Sequence, residues 1–583
     1  MTIKKNSPLR LKSQFAVLAI TLLATITFVP NANSQGPAHI NSRNGVRHVL
    51  LISIDGMHAL DYENCVNAGT CPSLAALGKT GVNYTRTSTS KPSDSFPGLM
   101  ALVTGGTPRT VGAFYDVAYD RVLAPPQNTT GNGVAGGACN AGVPNGTTTE
   151  YEEGVDIDQS KLNGGGPYSL IDGGIKSIDP TRLPRDPLNG CTPVYPWNFI
   201  RTNTIYGVIH AAGGFTAWSD KHAVYAAVSG PSQNASNVDD YYAPDVNSDV
   251  IPLPGVITAT GLHCFPNVVD ANGGAWTDSF DNIKCYDTLK VNAVLNWIKG
   301  KTHLGDHDAP VPTIFGMNFQ AVSVGQKLIE SGIKGGYTDA AGTPTAKMLG
   351  EIEFVDASIG EMVSALKAQG LLESTLIIIT AKHGQSPVDP DRFFPIPGHS
   401  GLNGTSPADV LVNANPNLLP ISESPLNPTG IGPTQDDISL LWLTHSSDTL
   451  TAVGLLETNA KAAGIGQIFY GPSLETMFNA PGLPGSGDPR SPDIIVQPNV
   501  GVVYTGSSKK QAEHGGFAQD DTNVMMLASN PEFKASTVTS FVETTQVAPT
   551  ILQALGLDPN GLDAVQKEGT PVLPGIDFRG DQQ

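Results

Sequence analysis

Residues 48–56 read H-V-L-L-I-S-I-D-G, and this stretch restricts what the chain can fold into more than any other. It is apolar at nearly every position and lacks a polar–apolar alternation, so a strand built from it must be covered on both faces. The run stops at Asp55-Gly56; an acidic residue followed by glycine marks the carboxyl end of a strand. Open α/β sheets bind ligands at that edge, which makes Asp55 a candidate site residue, with a turn-forming aspartate as its plainer reading.

A second run of this kind, T-L-I-I-I-T-A at 375–381, leads into Lys382-His383-Gly384. A lysine ending a buried strand is costly unless paired, so Lys382 must face an anion or a carboxylate, in a site or in a structural ion pair. Residues 313–319 read as another strand, and 320–326 as a loop. Met348, Ile352, Val355, Ile359, Met362 and Leu366 recur at helical spacing up to Gly370; Val291, Val294, Leu295 and Ile298 do so before Gly300. Residues 205–211 read as a helix and 544–555 as a closing one. A strand at 215–218 ends in Ser219-Asp220-Lys221-His222; Lys221 and His222 could contact substrate, although a solvated loop is the simpler account. Strands and helices in this order predict an α/β fold with a doubly wound, mostly parallel sheet.

Residues 91–106, K-P-S-D-S-F-P-G-L-M-A-L-V-T-G-G, set Ser95 just ahead of an apolar helical segment. Pro97 suits a helix's first turn, so Ser95 belongs at its N-terminal mouth. Free N–H groups and the positive end of the helix dipole can there activate a hydroxyl and hold an anion. The alternative is that Asp94 or Ser95 is simply an N-cap.

The chain has 583 residues, 40% of them hydrophobic, enough for one elaborated domain or two to three simple ones. Its 64 Gly and 45 Pro concentrate at about 124–197 and 395–498, read as insertions that form a cap. A net charge of −19 without a basic tract excludes a binder of nucleic-acid duplexes and still permits a small anionic substrate. Lys4, Lys5, Arg10 and Lys12 precede an apolar run at 15–29 that is too short to span a membrane, and Ala32-Asn33-Ser34 offers a cleavage site. Residues 1–34 therefore read as an export signal, which places 35–583 in the periplasm or outside the cell. Six cysteines fit that compartment, with Cys65–Cys71, Cys139–Cys191 and Cys264–Cys285 the natural neighbours among fifteen possible pairings. None has C-x-x-C spacing, which speaks against a zinc-thiolate or redox role.

Asp55, Ser95, His383 and His514 are far apart in sequence, but a sheet that gathers strand ends would bring them together. Their motifs are I-D-G at Asp55, P-S-D-S-F-P through V-T-G-G, K-H-G at His383, E-H-G-G at His514, and V-A-P-T-I-L-Q-A-L-G near the end. In this order they resemble the alkaline phosphatase superfamily, specifically its type I phosphodiesterase/nucleotide pyrophosphatase branch, over nearly all of 35–583. The resemblance implies a single catalytic domain in which two zinc ions share six protein ligands beside a Thr or Ser nucleophile. Asp55, His383 and His514 stand at ligand positions and Ser95 at the nucleophile's. Three positions depart from the pattern: the family's P-D-x-x-G-H is met by residues 321–326, with Val322 for its aspartate and Gln326 for its histidine, and Lys382 replaces the aspartate of D-H-G.

The resemblance thus implies a secreted hydrolase of phosphoric esters working through a covalent Ser95 intermediate. Lys382 and any metal would stabilise phosphoryl oxygens, and His383 and His514 would bind metal or move protons. Asp55 would bind metal or pair with Lys382. With Asp55, His383, His514 and Gln326 as the metal positions, one divalent ion, zinc, or none is expected rather than two. A sulfate-ester or phosphonate hydrolase of the same superfamily, or an anion-binding protein without catalysis, are the alternatives. Neither substrate identity nor oligomeric state has a sequence signal.

Overall fold

The computed structural model describes residues 45–151, 172–246, 255–264, 276–398, 403–427, 431–505 and 507–576; the export signal expected at 1–34 lies outside them. The main sheet has eight strands: β1 (His48–Ile54), β2 (Gly81–Tyr84), β3 (Ala217–Ser219), β4 (Asp240–Tyr242), β5 (Ile314–Phe319), β6 (Thr375–Thr380), β7 (Leu527–Ser529) and β8 (Ser536–Val538). They lie in the order β8-β2-β7-β6-β1-β5-β3-β4, parallel throughout except that β7 runs antiparallel to both β6 and β2. The expected α/β fold with a mostly parallel sheet is therefore present.

The unbroken apolar runs divide between two cores, as the two-residue period of a strand requires. Val49 and Leu51 of β1, with Leu376 and Ile378 of β6, enter one core, while Leu50, Ile52, Ile377 and Ile379 enter the other. The first core is covered by α1 (Ser95–Thr104) and α5 (Val547–Ala554), the second by α2 (Phe280–Ile298) and α4 (Ala346–Ala368). Each fully buried Leu or Ile side chain contributes roughly 1.5–3 kcal/mol, so both faces resist exchange of a core residue for a polar one.

Register fixes the site. Ser53 of β1 is level with Asn318 of β5 and with Thr380 of β6, and Met317 of β5 is level with Ser219 of β3. Asp55, Gln320, Lys382-His383 and Asp220-Lys221 therefore leave the sheet at one edge. Gly56, at φ +82°, makes the turn after β1 and donates its N–H to His383 O at 3.0 Å, a backbone conformation that glycine adopts without strain.

Two segments differ from the sequence reading. Residues 320–326, expected as a loop, enter the short helix α3 (Ala321–Lys327). The Asp287 carboxylate accepts from the backbone N–H groups of Gln320 and Ala321, each at 2.8 Å, and so caps the turn from another element. The insertion at about 395–498, read only as Gly- and Pro-rich, holds a strand that its composition does not announce: Ile494–Pro498 is an inner strand of a four-stranded antiparallel sheet, between Ser439–Leu441 and Ile465–Tyr470. That sheet has its own core, including Leu411, Leu441, Leu456, Ile494 and Val496. All three expected disulfides are formed.

Candidate active site

Asp94 settles the first ambiguity. It is the N-cap of α1, its Oδ2 accepting from Phe96 N at 3.1 Å and from Asp116 N at 3.0 Å. Ser95, the first residue of the helix, is thereby released from capping. Asp94 O also accepts from Gly98 N at 2.8 Å, and Pro97 has no N–H. The helix mouth thus offers an anion fewer N–H groups than its sequence suggests.

What surrounds Ser95 is charge. Its fully buried Oγ lies 3.2 Å from His383 Nε2, 3.0 Å from Lys221 Nζ and 3.4 Å from Asp55 Oδ2. His383 Nδ1 is 2.9 Å from Gly384 O, which assigns the ring proton to Nδ1 and leaves the Nε2 lone pair facing the Ser95 hydroxyl. A serine hydroxyl between an imidazole acceptor and an ammonium is placed to lose its proton in one direction and to have its oxyanion stabilised in the other.

Asp55 sits beneath them. Its Oδ2 accepts from Gln320 Nε2 at 2.6 Å and Asn318 Nδ2 at 3.0 Å, with Lys221 Nζ at 3.9 Å and His383 Nε2 at 3.7 Å. Burial works to raise its pKa, but Lys382, the His383 ring and Lys221 together outweigh it and hold the carboxyl well below the usual carboxylate range. Lys382 does not pair directly with Asp55 as expected. Its Nζ reaches Asp220 Oδ1 at 2.8 Å and stands 4.0 Å over the Tyr225 ring. Lys221 is the lysine beside the nucleophile position, and the solvated-loop account of Lys221-His222 is wrong: they are only 7% and 2% exposed.

His514 packs its ring 4.1 Å from that of His383, with Nδ1 3.6 Å from Asp94 Oδ1. Lys221, Gln320 and His514, together with Tyr115 and Lys327, line a cavity of about 400 Å³ that opens onto this cluster. Sequence reasoning missed Asp220, Asn318 and Gln320, and named Lys221 only as a possible substrate contact. Asp220-Lys221 carried a usable signal, a second polar break at a strand's carboxyl edge.

The residues do not fit the two-zinc centre that the resemblance implies. Among the described residues, no group of three or more His, Cys, Asp or Glu could hold a metal ion. Gln326 turns away: its Oε1 accepts from Gln385 Nε2 at 3.0 Å and its Nε2 donates to Gln385 O at 3.1 Å. Asp55 Oδ1 has no hydrogen-bond partner, but Oδ2 is covered by amide N–H groups, which cannot ligate a cation. Lys221 Nζ, 3.0 Å from Ser95 Oγ and 3.9 Å from Asp55 Oδ2, already sets a cation beside both. Zinc needs about three to four protein donors, and these do not converge.

The sequence profile of a family described as type I phosphodiesterase / nucleotide pyrophosphatase matches residues 49–144 and 275–518, more than half of the chain. No curated protein sequence matches the chain. Among solved structures, it is similar to murine ectonucleotide pyrophosphatase / phosphodiesterase 5, at 13% identity over 88% of this chain and 96% of that one, with a TM-score of 0.49. It is similar also to wild-type alkaline phosphatase PafA, at 11% identity, 88% and 96% coverage and the same score.

Proposed function

Because the chain belongs to the type I phosphodiesterase/nucleotide pyrophosphatase family, a family of phosphoester hydrolases, we propose that it hydrolyses phosphoric diesters with Ser95 as the nucleophile. The observation that carries this is the contact of Ser95 Oγ with His383 Nε2 at 3.2 Å and with Lys221 Nζ at 3.0 Å, behind the cavity wall to which Lys221 and His514 contribute.

As Ser95 Oγ forms its bond to phosphorus, its proton passes to His383 Nε2 and the bond to the departing alkoxide breaks. His514, held toward Asp94, protonates that leaving oxygen from the cavity wall. Water then attacks the phosphoserine, giving its proton to His514, and the bond from phosphorus to Ser95 Oγ breaks as His383 Nε2 returns the proton it took, which restores the hydroxyl and both imidazoles. Asp55 favours the positive charge that His383 carries between the two halves. Lys221 faces the phosphoryl oxygens, whereas Lys382, the cation expected there, acts at one remove through Asp220.

We read 35–583 as one exported catalytic domain carrying two insertions. Three disulfides support an oxidising compartment, and no helix of the described residues is long and apolar enough to cross a membrane. Export is checked by the amino terminus of the mature protein, expected at Gln35. For the chemistry, Ser95→Ala should lower kcat on a bis-aryl phosphate by at least ~10³-fold. An unchanged rate would sink the proposal.

A further inference from the structure

Resting on that phosphoester-hydrolase reading, we infer that the phosphoryl site works without a metal ion: the Lys221 ammonium supplies its positive charge, and Asp220 is the residue that positions it. Three buried lysines, Lys221, Lys290 and Lys382, alternate here with three buried aspartates, Asp55, Asp220 and Asp287. Lys382 Nζ is 2.8 Å from Asp220 Oδ1, and Lys290 Nζ is 2.9 Å from Asp287 Oδ1 and 2.5 Å from Asn318 O. The Asp287–Lys290 pair has zero net charge whichever partner holds the proton. A divalent ion added to so balanced a buried set would stand uncompensated unless an ammonium left, at a cost of several kcal/mol per buried charge.

Asp220 ties the two lysines together. Its Oδ1 accepts from Lys382 Nζ and from Lys221 N, both at 2.8 Å, and its Oδ2 accepts from Trp218 Nε1 at 3.0 Å. The backbone of Lys221 is fixed at the end of β3, and its side chain runs toward Ser95. The Tyr225 ring flanks both cations, 4.0 Å from Lys382 Nζ and 5.8 Å from Lys221 Nζ. Lysine at 382 thus completes an ion pair with Asp220 that holds the neighbouring residue in place. A cation so preorganised stabilises the charge growing on the phosphoryl oxygens while keeping its own proton, an effect of roughly 10²–10³ in rate.

The test uses the full mature chain, treated with chelator and examined by elemental analysis, by thermal melting with and without added zinc, and by hydrolysis of bis(4-nitrophenyl) phosphate. Far less than one metal ion per chain, a melting temperature unmoved by zinc and a rate unmoved by chelator are expected. Lys221→Ala should lose ~10²–10³-fold in kcat and regain part of it with added propylammonium but not with zinc, a rescue that a structural role for Lys221 would not show. Asp220→Asn should lower kcat about tenfold with KM unchanged, since it disturbs aim rather than binding. Stoichiometric zinc in the wild-type chain, a melting temperature raised by zinc, or activity lost to chelator and restored by zinc would each overturn the inference and leave the hydrolase reading intact. If the chain hydrolyses nothing with or without zinc, the hydrolase reading falls, and the elemental and melting measurements still decide whether a metal is held.

Discussion

Gly98→Ala tests the packing that builds the site. Gly98 is the fourth residue of α1, three positions after Ser95, and faces the end of β6. A Cβ there would stand 2.2 Å from Lys382 O, 2.8 Å from its carbonyl carbon and 3.0 Å from its Cα, all backbone atoms. Contacts under 3.0 Å are not tolerated, so helix and strand end must separate by roughly 0.8 Å. Ser95 rides on one side of that gap and His383 on the other. Their 3.2 Å contact lengthens toward the limit of a hydrogen bond. Misplacement of about 1 Å costs on the order of 10²-fold in rate, and overpacking of this kind costs about 1–3 kcal/mol. The assay is kcat/KM on a bis-aryl phosphate well below the melting temperature, with stability followed by urea unfolding. Gly454→Ala is the control, because Gly454 lies in the helix Thr449–Thr458 with nothing within 4 Å of its added Cβ. It should stabilise by about 0.5–1 kcal/mol and leave the rate alone. If Gly98→Ala keeps its rate within about threefold and its stability unchanged, the close approach of α1 to Lys382 is not what aligns Ser95 with His383.

Glu423 gives a pH-dependent prediction. It is fully buried, and burial pushes its carboxyl up to about 8, only partly opposed by the hydrogen bond from Thr148 Oγ1 at 2.6 Å. The folded chain holds this proton up to about pH 8 while the unfolded chain releases it near 4.5. Stability therefore falls as pH rises across that window. Glu423→Gln should unfold with wild-type stability near pH 4.5 and be more stable by a few kcal/mol, roughly, at pH 7; equal stabilities at pH 7 would refute this. The Cys139–Cys191 bridge closes 52 residues against 6 for Cys65–Cys71, so loop entropy assigns them about 4 and about 2 kcal/mol. Replacing Cys139 and Cys191 together by serine should lower the urea midpoint correspondingly, and a midpoint within error of wild type would contradict the entropic account.

Asp55, Ser95 and His383 were legible from sequence because each lies where an apolar run breaks into polar residues, a pattern confined to neighbouring positions. Lys221 was legible only as one of two readings, because β3 has only three residues and its meaning comes from alignment with β5, far along the chain. The need of Lys382 for a carboxylate could be inferred, but not its identity. Asp220 is 162 residues away, and only the parallel register of β1, β5 and β3 brings it within reach. Ile494–Pro498 failed for a related reason. Three apolar residues are too few to show a period, and both strands that make it an inner one lie earlier in the chain.

The position of β7 bears on how the protein is made. Residues 527–529 of a 583-residue chain join β6 to β2, so a nascent polypeptide cannot close the sheet until nearly all of it has left the ribosome. Until then β6 presents an open hydrogen-bonding edge beside a largely assembled apolar core, a state inclined to associate with other unfinished chains. Closure then depends on contacts between residues hundreds of positions apart, which form slowly. Translation that stops short of Leu527 therefore yields an aggregation-prone fragment rather than a smaller working enzyme.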